Sequence, residues 1–317
     1  MASSCWVVTE GLAGLKNQAI GLAEALELPY AFKQVKKSHL WQIFSPKHEL
    51  APPWPDLLIS CGRQSVAASI DVRRASRAKT FTVHIQDPCV DPARFDVVIA
   101  PAHDGIKGEN VFITQGAIHR VTPEKLAQAA VHFQGLFSKL PRPLISVLVG
   151  GKTRHEGFSG ESVHDFAAKL LSAAKSSKGA LAVTTSRRTG PENEAVIREA
   201  VSRVPSYVWD GQGENPYFGM LSLAQAIVVT SDSISMVSEA ASTGKPLYIY
   251  ELPKVGGRHK QFCEGLIGSG VARPFTGAIE QWSYAPLDET RKAADFVIER
   301  FQQKGGKYAD ANARNFS

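Results

Sequence analysis

The sequence predicts an α/β protein of two Rossmann-like, doubly wound domains facing a cleft. Short apolar runs rich in β-branched residues alternate with helical patterns along the whole chain. These runs lack polar alternation, as expected of parallel strands covered on both faces. The length, 317 residues, exceeds one ordinary core and suits two of about 150 residues each.

In order, the predicted strands are Trp6–Val8, Asp56–Ser60, Thr80–Ile85, Asp96–Ala100, Val111–Thr114, Leu144–Val149, Leu181–Thr184, Ala226–Val229 and Pro246–Tyr250. Between the first two lies a predicted helix over Lys16–Glu27, in which Ala19, Leu22, Ala23 and Leu26 form one apolar stripe. A second helical pattern, Glu124–Phe137, runs into Pro141 and Pro143, which cannot continue it. A fresh strand follows. The boundary is therefore placed there, giving domains 1–140 and 141–317, with the last helix free to pack back on the first.

Composition narrows the class. The chain is 44% hydrophobic and 21% charged, an ordinary globular balance. No run approaches the roughly 18 apolar residues of a membrane span, and the N-terminus has no signal-peptide pattern. Cys5, Cys61, Cys89 and Cys263 show no metal-ligand or redox spacing and are read as small buried hydrophobes in a reducing cytoplasm. The net charge of +6, with basic runs at Lys33 to Lys37, Arg73 to Lys79 and Arg187-Arg188, suits solvated faces, an anionic membrane surface or nucleotide phosphates. No basic motif interleaved with aromatics favours nucleic acid.

The stretch VLVGGKT, Val147 to Thr153, ends like an ATP-binding P-loop. That pattern needs a glycine five places before Gly151, where Ser146 stands inside an apolar strand. The loop is too short to wrap a phosphate chain. What remains is a buried strand ending in two glycines.

Ligands of open parallel sheets collect at the carboxyl ends of the strands. In the first half those ends carry Gly11 and Gly14 (with Gln18 in the helix beyond), then Gly62, Arg63 and Gln64, then Asp87, then Gln115 to His119. In the second half they carry Gly150, Gly151 and Lys152, then Ser186, Arg187, Arg188 and Thr189, then Thr230, Ser231, Asp232 and Ser233. Glycine, hydroxyl, amide and basic residues recurring at each end suit phosphate and hydroxyl groups.

The run from Ala226 to Pro246 is the sharpest element. A strand gives way to a helix near Ser233 that Gly244 and Pro246 stop, with Asp232, Ser235, Glu239 and Ser242 on one polar stripe. Asp232 or Ser233 would serve as N-cap. Glu239 lies too far along for a capping box. Its carboxylate either accepts hydrogen bonds from a ribose diol or belongs to a solvated face.

Strand, hydroxyl-rich turn, then a helix with a glutamate about seven residues in and a Gly-x-Pro stop resembles the nucleotide-sugar site of GT-B glycosyltransferases, the peptidoglycan GlcNAc transferase among them. More closely, the chain resembles the mitochondrial-fission "elongated mitochondria" family. The resemblance is carried by GLAGLKNQAIGLAEAL (Gly11–Leu26), ISCGRQS (Ile59–Ser65), HIQDP (His84–Pro88), QGAIHRVT (Gln115–Thr122), VLVGGKTRHEGFS (Val147–Ser159), TTSRRTGPE (Thr184–Glu192) and the run from Trp209 to Pro246, which includes GENPYFGML.

The resemblance implies a donor nucleotide in the C-terminal half. Gly150 and Gly151 would approach the diphosphate beside Lys152, Arg187 and Arg188 would lie near base or phosphates, and Ser231, Ser233 and Ser235 would meet phosphate. Glu239 would meet the ribose, and the Gly11 and Gly14 loop would face the acceptor. Neither metal nor other cofactor is implied, because helix dipoles and basic groups stabilise the leaving diphosphate. One departure stands out: where the GlcNAc-transferase pattern has a His, this chain has Lys16, a poor base unless desolvated. His119 and Asp87 are the candidate replacements.

Two uses of the scaffold follow from the resemblance. One is metal-independent transfer of a sugar from a nucleoside diphosphate sugar to an unidentified acceptor, a lipid-linked one at a membrane face among the options. The other is a non-catalytic adaptor with a protein partner, a dynamin-related GTPase as in plant members. A nucleotide-sugar epimerase is set aside, because that chemistry wants a Gly-x-x-Gly-x-x-Gly cofactor loop after the first strand, of which only Gly11 and Gly14 are present.

Overall fold

The computed structural model describes residues 4–35, 50–151, 157–253 and 256–306. In chain order the first elements are β1 (Cys5–Thr9), α1 (Ala13–Ala25), β2 (Tyr30–Gln34), β3 (Leu57–Cys61), α2 (Val66–Ala75), β4 (Phe81–Ile85), β5 (Val97–Pro101) and β6 (Val111–Thr114). Then come α3 (Pro123–Phe137), β7 (Leu144–Val149), α4 (Gly160–Ser177), β8 (Ala180–Thr185), α5 (Pro191–Val201), β9 (Ser206–Val208) and α6 (Tyr217–Leu223). The last are β10 (Ala226–Thr230), α7 (Ile234–Ala241), β11 (Leu247–Tyr250), α8 (Gly257–Gly268), β12 (Ala272–Pro274) and α9 (Glu289–Gln303).

The chain forms two compact units, Met1–Arg120 with Asp288–Ser317, and Val121–Leu287. The first holds a parallel sheet in the order β2-β1-β3-β4-β5-β6, the second one in the order β12-β11-β10-β7-β8-β9. Each is doubly wound. The winding reverses between β1 and β3 in the first sheet and between β7 and β10 in the second.

All nine predicted strands form, within a residue or so at each end. The sequence missed β2, β9 and β12. Each lies at a sheet edge, and β2 and β9 contain no fully buried residue, so the apolar signal is weak there.

In the first unit, Ala19, Leu22, Ala23 and Leu26 are buried on the sheet as the stripe requires. Ala293, Ala294, Val297 and Phe301 of α9 join the same cluster. In the second sheet, alternate residues face opposite cores. Leu144, Leu148, Ile227 and Val229 enter one, Ile145, Val147, Ala226 and Val228 the other. Burying each of these Leu, Ile and Val side chains stabilises by about 1.5–3 kcal/mol, which is why these strands are apolar throughout. Ser146 sits within β7 and its hydroxyl donates to the Met220 carbonyl at 2.7 Å.

The division falls at Arg120–Val121, earlier than the residue 140 expected. The cause is α3, which packs on α6. Phe137 is buried in the second unit's core, its ring 5.3 Å from that of Tyr207, and Phe133 lies where a side chain at Gly219 would stand. Prolines end α3 without ending a domain.

Candidate functional site

The candidate site of the second unit lies at the carboxyl ends of β7, β8 and β10, on the winding reversal. There two strand-end loops are tied together by side chains of β10 and its turn. The Gly150 amide donates to Thr230 Oγ1 at 2.8 Å, and the Gly151 amide to Asp232 Oδ2 at 2.7 Å. Thr230 Oγ1 in turn donates to Asp232 Oδ1 at 2.7 Å. From the loop after β8, Thr189 donates to the Gly150 carbonyl, and Arg188 Nη2 lies 3.4 Å from Asp232 Oδ2. The Asp232 side chain is fully buried while that of Arg188 is 45% exposed, so the guanidinium covers the carboxylate from the solvent side.

This packing gives the two glycines a reason of their own. A Cβ on Gly150 would stand 2.1 Å from Asp232 Oδ2, and one on Gly151 would stand 2.0 Å from the Arg188 carbonyl carbon. The protein's own chain already requires glycine there. Asp232 is likewise corrected: it precedes α7, caps nothing, and turns inward instead of joining the polar stripe. Ser233 is the N-cap, its Oγ accepting from the Met236 amide at 3.4 Å. Ser231 is buried and its Oγ accepts from the Leu252 amide at 3.0 Å, so it braces the turn.

What remains open to solvent is Arg187, Arg188, the half-buried Ser235 and the start of α7, where the Met236 amide is taken by the Ser233 cap and those of Ile234 and Ser235 have no partner within the helix. Lys152 lies outside the described residues.

Glu239, on α7, is buried at 9% exposure and is not on a solvated face. Its Oε2 accepts from the Tyr217 hydroxyl of α6, while Oε1 has no hydrogen-bond partner among the described residues. Burial pushes the Glu239 carboxyl up to about 7, against a smaller downward pull from Tyr217. Burial also raises the Tyr217 phenol well above its ordinary value.

In the first unit the loops after β1 and β3 flank the other winding reversal. Gly11 and Gly62 have φ of 87° and 88°, which glycine adopts without strain. Gly14 and Lys16 belong to α1, not to a loop, because the helix starts at Ala13. Lys16 is exposed with Nζ 4.6 Å over the Phe32 ring, so it is not desolvated. Gln18 is buried in α1. Arg63 and Gln64 occupy a short helical turn after Gly62, and Arg63 Nη2 donates to Cys89 Sγ at 2.8 Å. Cys89 is exposed, unlike the other three cysteines. Asp87 is half-buried and its Oδ1 accepts from the Cys89 amide at 2.7 Å.

His119 is corrected from an open loop position to a core one, 3% exposed. Its amide donates to Thr290 Oγ1 and its carbonyl accepts from the same hydroxyl, both at 3.1 Å. Its carbonyl also lies 2.5 Å from where a side chain on Gly21 would begin, so α1 packs directly over it.

Sequence reasoning named Gly150, Gly151, Arg188, Thr189, Thr230 and Asp232 at the strand ends, and the structure ties them together, but it missed Tyr217. Tyr217 lies in the GENPYFGML stretch, yet nothing in its spacing points to a glutamate 22 residues on. Among the described residues no group of His, Cys, Asp or Glu could hold a metal ion.

The family model for mitochondrial fission ELM1 matches residues 13–301. Mitochondrial fission protein ELM1 of Arabidopsis thaliana is 31% identical over 278 residues, 79% of this chain and 65% of the plant protein. This chain therefore spans just under two thirds of that relative's length. Among solved structures, the UDP-GlcNAc 2-epimerase of Neisseria meningitidis bound to UDP-GlcNAc superposes with a TM-score of 0.53 at 14% identity, over 95% of this chain and 100% of that one. MurG of Acinetobacter baumannii gives 0.50 at 11% identity, over 96% of each chain. These likenesses concern the fold alone, which the chain shares both with that epimerase and with MurG. The chain has a GT-B glycosyltransferase-like fold and belongs to the mitochondrial fission ELM1 family.

Proposed function

We propose that the second unit binds a nucleoside diphosphate sugar at the carboxyl ends of β7, β8 and β10, and that the protein transfers the sugar to an acceptor without a metal ion. The observation that carries this reading is the Thr230–Asp232 clamp across the winding reversal. It holds the Gly150-Gly151 loop against the start of α7 and leaves Arg187, Arg188 and the Ile234 and Ser235 amides of α7 at one strand end. Such an end attracts a diphosphate through the helix dipole and charge-assisted hydrogen bonds.

In this reading Arg187, Arg188 and Ser235 meet the diphosphate, and the free Oε1 of Glu239 accepts from a ribose hydroxyl while Tyr217 fixes Oε2. Arginines and amides stabilise the leaving diphosphate as charge develops on it. Asp87 is the candidate base on the acceptor side, since it is only half-buried whereas His119 is enclosed. The neighbour solved with UDP-GlcNAc supports a uridine nucleotide as the first ligand to try.

The test is a melting-temperature panel of UDP, UDP-GlcNAc, GDP, ADP and CMP on the wild type and on Arg187→Ala. A ligand at about a hundred times its Kd adds roughly 2.7 kcal/mol, a clear shift. One nucleotide should raise the melting temperature, and less so in the variant. No response to any of them at millimolar concentration overturns the reading.

A further inference from the structure

We propose that the first unit carries a separate phosphate-group site, walled by Arg73, Arg74, Arg77 and Arg94, at the amino ends of its strands. These four arginines, with Ile70 and Ala78, line an open depression of about 380 Å³. Its place follows from the winding. The helix α2 starts near the end of β3 and finishes just before β4, so its last turn lies at the opposite strand ends from Gly62 and Asp87. Nothing in the nucleotide-sugar reading uses this face.

The charges there are unevenly neutralised. Arg73 pairs with Asp96, Nη2 to Oδ1 at 3.2 Å. Arg74 lies 3.7 Å from Asp71 but stays 77% exposed. Arg77 and Arg94 are exposed and have no ion-pair partner among the described residues. The carbonyl end of α2 offsets part of this positive charge, but like charges crowded in one depression still favour an anion.

The residue type narrows the ligand. All four walls are arginine, while Lys79, close by in sequence, is not among the lining residues. Guanidinium forks match two oxygens of one phosphate group, which an ammonium cannot. The ligand is therefore a phosphate-bearing anion, free or as a lipid headgroup.

The test uses the full chain at low salt, with two arms: calorimetry with sodium pyrophosphate, and co-sedimentation with vesicles of phosphatidylglycerol and phosphatidylcholine against phosphatidylcholine alone. Wild type is compared with Arg77→Gln/Arg94→Gln and with a charge-matched control, Arg203→Gln/Lys260→Gln. Neither Arg77 nor Arg94 holds a partner among the described residues, so the first double variant should melt like the wild type. The expected result is binding in at least one arm, weakened about tenfold or more in the first double variant through lost charge-assisted contacts and unchanged in the control. Binding to pyrophosphate alone identifies a free phosphate ligand, and binding to anionic vesicles alone identifies a headgroup. No binding in either arm overturns the proposal. Binding equal in wild type and the Arg77/Arg94 variant also overturns it, since that signal comes from elsewhere on the chain.

Discussion

The Tyr217 hydroxyl on α6 donates to the Glu239 carboxylate on α7 in the interior of the second unit. The pair makes stability depend on pH in an unusual direction for a carboxyl group. Burial raises the Glu239 carboxyl to about 7, above an ordinary value of about 4.3. A raised folded value means that the proton favours the fold. That stability is fully present below about pH 4.3 and is lost as pH rises through about 7, a change on the order of 3 kcal/mol. Glu239→Gln, neutral at all pH, should therefore melt above the wild type at pH 8, and the gap should shrink steadily as pH falls toward 5. Tyr217→Phe removes the bond that lowers the Glu239 carboxyl and should move the wild-type transition to higher pH. Melting curves across pH 5–8 check both.

Gly151→Ala should be costly, because the new methyl group would meet the backbone of Arg188, 2.0 Å away, and neither chain can yield easily. Overpacking of this kind costs about 1–3 kcal/mol, and the backbone obstacle places Gly151 at the upper end. Gly160→Ala is the control. Nothing stands within 4 Å of its new methyl group, so its urea midpoint should hold or rise.

Asp96 joins α9 to the sheet of the first unit, with Lys304 Nζ at 2.7 Å, Arg73 Nη2 at 3.2 Å and the Thr82 amide at 2.8 Å. Burial raises its carboxyl, but the hydrogen bonds from Arg73, Lys304 and Thr82 outweigh it and hold the group below its usual range. A depressed folded value contributes stability above the ordinary carboxylate value of about 3.9 that is lost as pH falls further. Asp96→Asn should lower stability at pH 7 by about 2 kcal/mol, and the difference from wild type should shrink below pH 4. Urea titrations at the two pH values decide it.

Phe301→Ala should be among the most damaging single changes on α9. The ring is 7% exposed and meets Phe81 edge-on with centroids 5.3 Å apart. Emptying such a position costs about 3–5 kcal/mol, read as a fall in the urea midpoint. Ile298→Ala, on the same helix but only partly buried, should cost visibly less.

The central strands were legible in the sequence because burial on both faces demands continuous apolar runs. The strands β2, β9 and β12 were not, because β2 and β9 hold no buried residue and β12 only Ala272, so no continuous apolar run is demanded of them. At the site, the strand ends and the start of α7 could be read from glycines, hydroxyls and the cap at Ser233. The direction of Asp232 could not. A carboxylate beside a helix start can cap it or turn back, and the choice was made by the Gly151 amide, 81 residues earlier. His119 failed for a related reason: its cover is supplied by α1 and by Thr290, 171 residues later.

The return of α9 to the first unit has a consequence for synthesis. The second unit, Val121–Leu287, is one unbroken stretch of chain, whereas the first is completed only by residues after Asp288. During translation the first sheet emerges early but waits, with Ile20, Phe81 and Ile99 lacking their α9 partners, until the rest has left the ribosome. The later-made half can finish folding before the earlier-made one. Chains truncated at residue 287 and released from the ribosome should therefore show a protease-resistant second unit attached to a first unit that is still cleavable.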